Sequence, residues 1–110
     1  MKNEFKPVAD TKALDNLLAL SHEEPVVLFK HSLTCPISAA AYRQMLEVAS
    51  PVALVVVQRA RELSREIAAR TGIRHESPQA IIFRHGRAVW NASHYAITAE
   101  AVERSVREHA

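Results

Sequence analysis

Residues 25–57 read P-V-V-L-F-K-H-S-L-T-C-P-I-S-A-A-A-Y-R-Q-M-L-E-V-A-S-P-V-A-L-V-V-V, and the two apolar ends of this stretch carry most of the architectural information. Val26 to Phe29 is continuously apolar rather than alternating, which is the pattern of a strand buried on both faces. It ends at Lys30-His31. A second run of the same kind extends from Val52 to Val57. Between them a helix is predicted to start after Cys35, because Pro36 supplies the preset φ of a first helical turn. Two short buried strands joined by a helix form a βαβ unit, whose strands run parallel.

Upstream lies a short, weakly apolar stretch from Phe5 to Val8. Thr11 then reads as the N-cap of a helix carrying Leu14, Leu17 and Leu18 on one face and ending near His22. Downstream, R-E-L-S-R-E-I-A-A-R-T-G places Leu63, Ile67 and Ala68 on one face of a helix. On its outer side Glu66 stands four residues before Arg70, and Gly72 is the stop. In S-P-Q-A-I-I-F-R-H-G-R-A-V-W-N, two apolar stretches flank His85-Gly86 closely enough for a tight antiparallel hairpin. Thr98 caps a last helix with Ala101, Val102, Ser105 and Val106 facing inward. The order is β-α-β-α-β-α-β-β-α, with no repeat and no linker. The expectation is a single α/β domain over residues 1–110 with a thioredoxin-like fold, a central mixed β-sheet flanked by helices. A chain of 110 residues has room for one modest core.

Composition narrows the classes of function. Apolar residues are 48% and charged residues 24%, an ordinary globular balance, and the net charge of +2 comes from interleaved signs rather than a basic block. No nucleic-acid partner is expected. No apolar segment is long enough to cross a bilayer, and M-K-N-E-F-K-P lacks the apolar core of a signal peptide. The expectation is a soluble cytoplasmic protein without a membrane partner. A single cysteine fits a reducing compartment and permits no internal disulfide, so any sulfur partner of Cys35 comes from another molecule.

In open α/β sheets chemistry gathers beyond the carboxyl ends of the parallel strands, and Cys35 falls there. A cysteine at a helix N-cap faces unsatisfied N–H groups and the positive end of the helix dipole, which favours thiolate, the species that attacks disulfides. The competing reading is a buried cysteine acting as a small hydrophobe. Ser77-Pro78, just before the hairpin strand, occupies the position where thioredoxin-like folds carry a cis proline beside the reactive sulfur. There the preceding residue offers backbone groups to an extended substrate. An ordinary trans turn proline is the alternative. Ser38 stands at the third position after Cys35, where a dithiol oxidoreductase has its resolving cysteine. Its hydroxyl is expected to donate to the thiolate, against a simple first-turn serine. Thr34 and Ile37 flank the sulfur and shape access to it together with Pro36. Lys30 and His31 point to opposite sides of their strand, so at most one adds charge near the sulfur, His31 rather than Lys30; that both merely mark the end of a buried strand is a reading of at least equal weight. Tyr42 and Trp90 read as packing. The six histidines are dispersed with no ligand pair, so no metal site is expected.

The run F-K-H-S-L-T-C-P-I-S-A-A-A-Y, Phe29 to Tyr42, resembles the monothiol bacilliredoxins, thioredoxin-like proteins whose signature is T-C-P-I-S preceded by a K-H-S strand end. The similarity extends over essentially the whole chain in length, segment order and placement of Ser77-Pro78. It implies removal of bacillithiol from mixed disulfides on S-thiolated client proteins, with Cys35 as nucleophile. No cofactor is tightly bound in this reading, and bacillithiol or another low-molecular-weight thiol is the co-substrate. Two alternatives stay open. One is a module holding a small thiol or an iron–sulfur cluster through Cys35 and a partner chain, as glutaredoxin-like proteins with Gly after the cysteine do where this chain has Pro36. The other is a non-catalytic adaptor that keeps the fold without turnover.

Overall fold

The computed structural model describes residues 3–110. Its elements are β1 (Lys6–Pro7), α1 (Thr11–Leu20), β2 (Val26–His31), α2 (Pro36–Leu46), β3 (Val52–Val56), α3 (Arg61–Thr71), β4 (Gln79–Arg84), β5 (Arg87–Ser93) and α4 (Ala99–Glu108). Single 3₁₀ turns cover Val57–Arg59 and His94–Ala96. This is the expected order.

The five strands lie side by side as β1-β3-β2-β4-β5. β3 is parallel to both β1 and β2, while β4 runs antiparallel to β2 and to β5. β2 is the centre of the sheet, and every one of its residues is buried. One face packs Leu28, Val55, Ile81 and Phe83 against Leu14 of α1 and Leu63 and Ile67 of α3. The other packs Val27, Phe29 and Ile82 against Ala41 and Met45 of α2 and Val102 of α4. A strand covered on both sides has no polar face, which is why its sequence does not alternate.

Local details depart from the expectation in three places. Asp10, not Thr11, caps α1: its backbone is extended and its carboxylate accepts the Ala13 N–H at 2.8 Å. Thr11 is thereby the first helical residue, since a charged oxygen is the stronger acceptor for those free N–H groups. α1 stops at Leu20, with the Ser21 N–H turned back to the Leu17 carbonyl and the His22 N–H to that of Ala19. The valine run leaves the sheet at Val56, and Val57 opens the 3₁₀ turn instead.

The remaining boundaries follow the residues. Gly72 ends α3 in the left-handed region at φ 70°, its N–H bonded to Ala68. His85 and Gly86 both have positive φ, 57° and 75°, the requirement of a two-residue hairpin whose twist matches its strands. Thr98 caps α4 by accepting the Ala101 N–H at 3.1 Å. Among the described residues no helix is long and apolar enough to cross a membrane.

Candidate active site

β2 delivers the chain to the carboxyl end of the parallel strands at His31, and residues 32–34 turn it into α2. Cys35 is the N-cap of that helix, with extended backbone angles of φ −99° and ψ 122°, and Pro36 is its first helical residue. The Cys35 carbonyl accepts the Ala39 N–H at 3.1 Å, so the cap is engaged through its backbone while the side chain stays half-exposed. Thr34 and Pro36 are exposed and Ile37 is half-buried, forming a rim around the sulfur. Ser38 is completely buried beneath it.

The sulfur closes no cap hydrogen bond of full geometry. Its surroundings nevertheless favour the thiolate. The backbone N–H of Ser38 does most to hold the Cys35 thiol below its ordinary range; desolvation opposes this, and the Ile37 N–H and the Ser38 hydroxyl add to the lowering. The hydroxyl is well placed for that part. Its oxygen accepts the Ser32 N–H at 3.2 Å, which leaves its own hydrogen free to donate.

The approach loop is held from the side by Gln58. Its Oε1 accepts the Leu33 N–H at 3.1 Å and its Nε2 donates to Ser32 Oγ at 2.8 Å. Ser32 thus links Gln58 to Ser38, and Ser38 faces Cys35. The sequence reading did not include Gln58. It lies 25 residues from Leu33, and the only local sign is that a polar residue breaks the apolar run after Val57.

The two basic residues at the end of β2 do not supply charge at the sulfur. His31 lies on the face covered by α2, with its ring 4.8 Å from that of Tyr42 and 5.7 Å from that of Phe29. Burial pushes its pKa down, against a smaller opposite effect of the Ser38 backbone, and its Nδ1 is buried without a partner. Both favour the neutral ring, so of the two readings open for the end of β2 it is that of a buried strand end that the structure supports. Lys30 points to the other face, where its Nζ donates to Gln79 Oε1 at 2.7 Å. Burial pushes it down to about 8, with Glu76 working in the opposite direction.

The Ser77–Pro78 peptide bond is cis. Pro78 is buried and its carbonyl accepts the His94 N–H at 3.1 Å, while Ser77 is half-buried. Lys30 pairs with Gln79, so Pro78 sits next to the carboxyl end of β2, the end from which Cys35 follows. Tyr42 packs edge-on against Phe5 at 4.9 Å, and Trp90 packs against the core beneath α2 and α4. Among the described residues no three His, Cys, Asp or Glu side chains gather as a metal-ligand set.

A partly exposed thiol, biased toward thiolate at a helix N-terminus with no second cysteine in the chain, is suited to single-step thiol exchange. Comparison with known proteins agrees in kind. Residues 6–102 match the family described as Monothiol bacilliredoxin BrxC. A solved structure described as a candidate oxidoreductase with a thioredoxin fold is 33% identical, with a TM-score of 0.83 and coverage of 91% of each chain. Thioredoxin from Fasciola hepatica superposes with a TM-score of 0.76 at 14% identity, covering 96% of this chain and 100% of its own. Thioredoxin NaTrxh from Nicotiana alata gives 0.75 at 9% identity, covering 99% and 95%. At these identities the two thioredoxins share the fold alone.

Proposed function

The chain belongs to the monothiol bacilliredoxin family, and from that premise we propose that it removes bacillithiol, or a similar small thiol, from mixed disulfides on client proteins. The observation that carries this reading is the pairing of a thiolate-biased Cys35 with a buried serine, Ser38, at the position where a second cysteine would otherwise resolve the adduct.

The exchange needs no net oxidant. The Cys35 thiolate attacks the small-thiol sulfur of the client's mixed disulfide. That disulfide breaks, the client sulfur departs as thiolate and takes a proton from water, and a new disulfide joins Cys35 to the small thiol. A second molecule of small thiol, as thiolate, attacks the carried sulfur, releasing a small-molecule disulfide and restoring Cys35. The N–H groups at the start of α2 favour the Cys35 thiolate both as attacking group in the first step and as leaving group in the second. The rim of Thr34, Pro36 and Ile37, with Ser77 and Pro78 at the same end of the sheet, is where the client segment bearing the adduct is received. The partners in this reading are S-thiolated proteins and a low-molecular-weight thiol.

The test is to incubate the protein with a bacillithiolated client and follow both intact masses. The adduct mass should leave the client and appear on the wild-type protein, and neither change should occur with Cys35→Ser. A client that keeps its adduct in the presence of wild-type protein overturns the reading.

A further inference from the structure

A shallow cleft of about 400 Å³ opens beside α3, lined by Val57, Arg61, Ser64, Arg65, Ala68 and His75. Four of these residues share one face of the helix, being three or four positions apart. Arg61 and Arg65 are exposed, and the ion pairs of the described residues leave both without a carboxylate partner. Like charges four residues apart on a helix repel each other. An anion seated between them would relieve that repulsion. The acids of the same helix, Glu62 and Glu66, do not line the cleft, and Glu66 is engaged by Arg70 at 3.3 Å. The lining is thus basic at its rim and apolar at Val57 and Ala68.

Its position gives the cleft meaning. Val57 begins the 3₁₀ turn whose next residue, Gln58, holds Ser32 and Leu33 in the loop before Cys35. His75 stands two residues before the cis Ser77–Pro78 bond. The two segments that flank the reactive end of the sheet therefore also frame this cleft. We propose that the cleft is the subsite for a carboxylate arm of the small thiol exchanged at Cys35, an inference that rests on the exchange reading above. The guanidinium forks of Arg61 and Arg65 match a carboxylate in two-point geometry, which a neutral ester does not reproduce. Val57 and Ala68 give the arm's carbon skeleton an apolar wall.

The experiment uses one client protein carrying three different adducts: bacillithiol, glutathione, and glutathione diethyl ester. Transfer to Cys35 is followed by intact mass for the wild-type protein and for the double variant Arg61→Gln, Arg65→Gln. Both substitutions are at exposed sites. The wild-type protein should accept at least one acid adduct about fivefold faster than the ester, as expected for one solvent-accessible ion pair. The double variant should bring the acid rates down to the ester rate. Which acid is the faster identifies the natural source of the carboxylate, and a preference for either supports the subsite. Equal rates for acids and ester in the wild type, or a preference that survives in the double variant, overturn the subsite and leave the exchange reading standing. Transfer of none of the three adducts overturns the exchange reading and the subsite with it.

Discussion

Three single side chains set the chemistry and its pH response. Ser38 serves two neighbours at once: its oxygen accepts the Ser32 N–H and its hydroxyl favours the Cys35 thiolate. Ser38→Ala should therefore raise the Cys35 pKa, though not to the free value, because the Ser38 and Ile37 N–H groups remain. Thiolate absorbance against pH measures this, and at neutral pH the exchange rate should fall with the thiolate fraction. The same change leaves the buried Ser32 N–H unsatisfied, which costs about 1–3 kcal/mol of stability, measurable by urea unfolding. Lys30 has the opposite character, a cation lowered by burial from 10.5 to about 8. Between those two pH values the unfolded chain holds the proton and the folded chain does not. Stability contributed through Lys30 accordingly rises as pH climbs from about 8 toward 10.5. Unfolding midpoints across that range should show a slope that Lys30→Met removes; an unchanged slope would mean Lys30 is not desolvated. His31, also lowered by burial, resists protonation that the unfolded chain accepts, so its contribution is lost as pH falls through the ordinary histidine range.

At the scale of elements, the 3₁₀ turn after β3 acts as a brace for the loop entering α2. Gln58→Ala removes two hydrogen bonds from that loop. We expect a stability loss of about 1–2 kcal/mol, faster hydrogen exchange at the Leu33 amide and slower adduct transfer at Cys35. Unaltered exchange at Leu33 would show that the loop is held by other means. β2, β3, α3 and the hairpin were legible in the sequence because each announces itself locally, through an unbroken apolar run, a helical stripe ending in Gly72, or the His85-Gly86 pair. The α1 boundary was less so. Asp10 and Thr11 are both good caps, and only the placed carboxylate distinguishes them. The core of the site, Cys35 to Ser38, was readable because four consecutive residues carry it. Gln58 was not, since nothing local ties residue 58 to residue 33. The neutral state of His31 was equally hidden, because burial by Tyr42 and Phe29 decides it.

Across the whole molecule, site and core are not separate. Phe29, fully buried, contacts the rings of Phe5, His31 and Tyr42, and so links the central strand to the underside of α2. Phe29→Ala should cost about 3–5 kcal/mol, a large share of the roughly 5–15 kcal/mol typical of a domain. Chemical denaturation should register that loss, and the Cys35 titration should broaden or shift because His31 and α2 lose their common support. The solitary thiol, with Ser38 buried where a partner would stand, has a further consequence under the proposed exchange. A chain that closes its own disulfide consumes two small thiols for every small disulfide released when it is reduced, so its oxidised fraction depends on the square of the thiol concentration. A chain with one cysteine trades one thiol for one disulfide. Its loaded fraction then follows the simple ratio of the two, and diluting the pool at a constant ratio leaves it unmoved. Such a protein gauges the balance of its thiol pool and is blind to the pool's size.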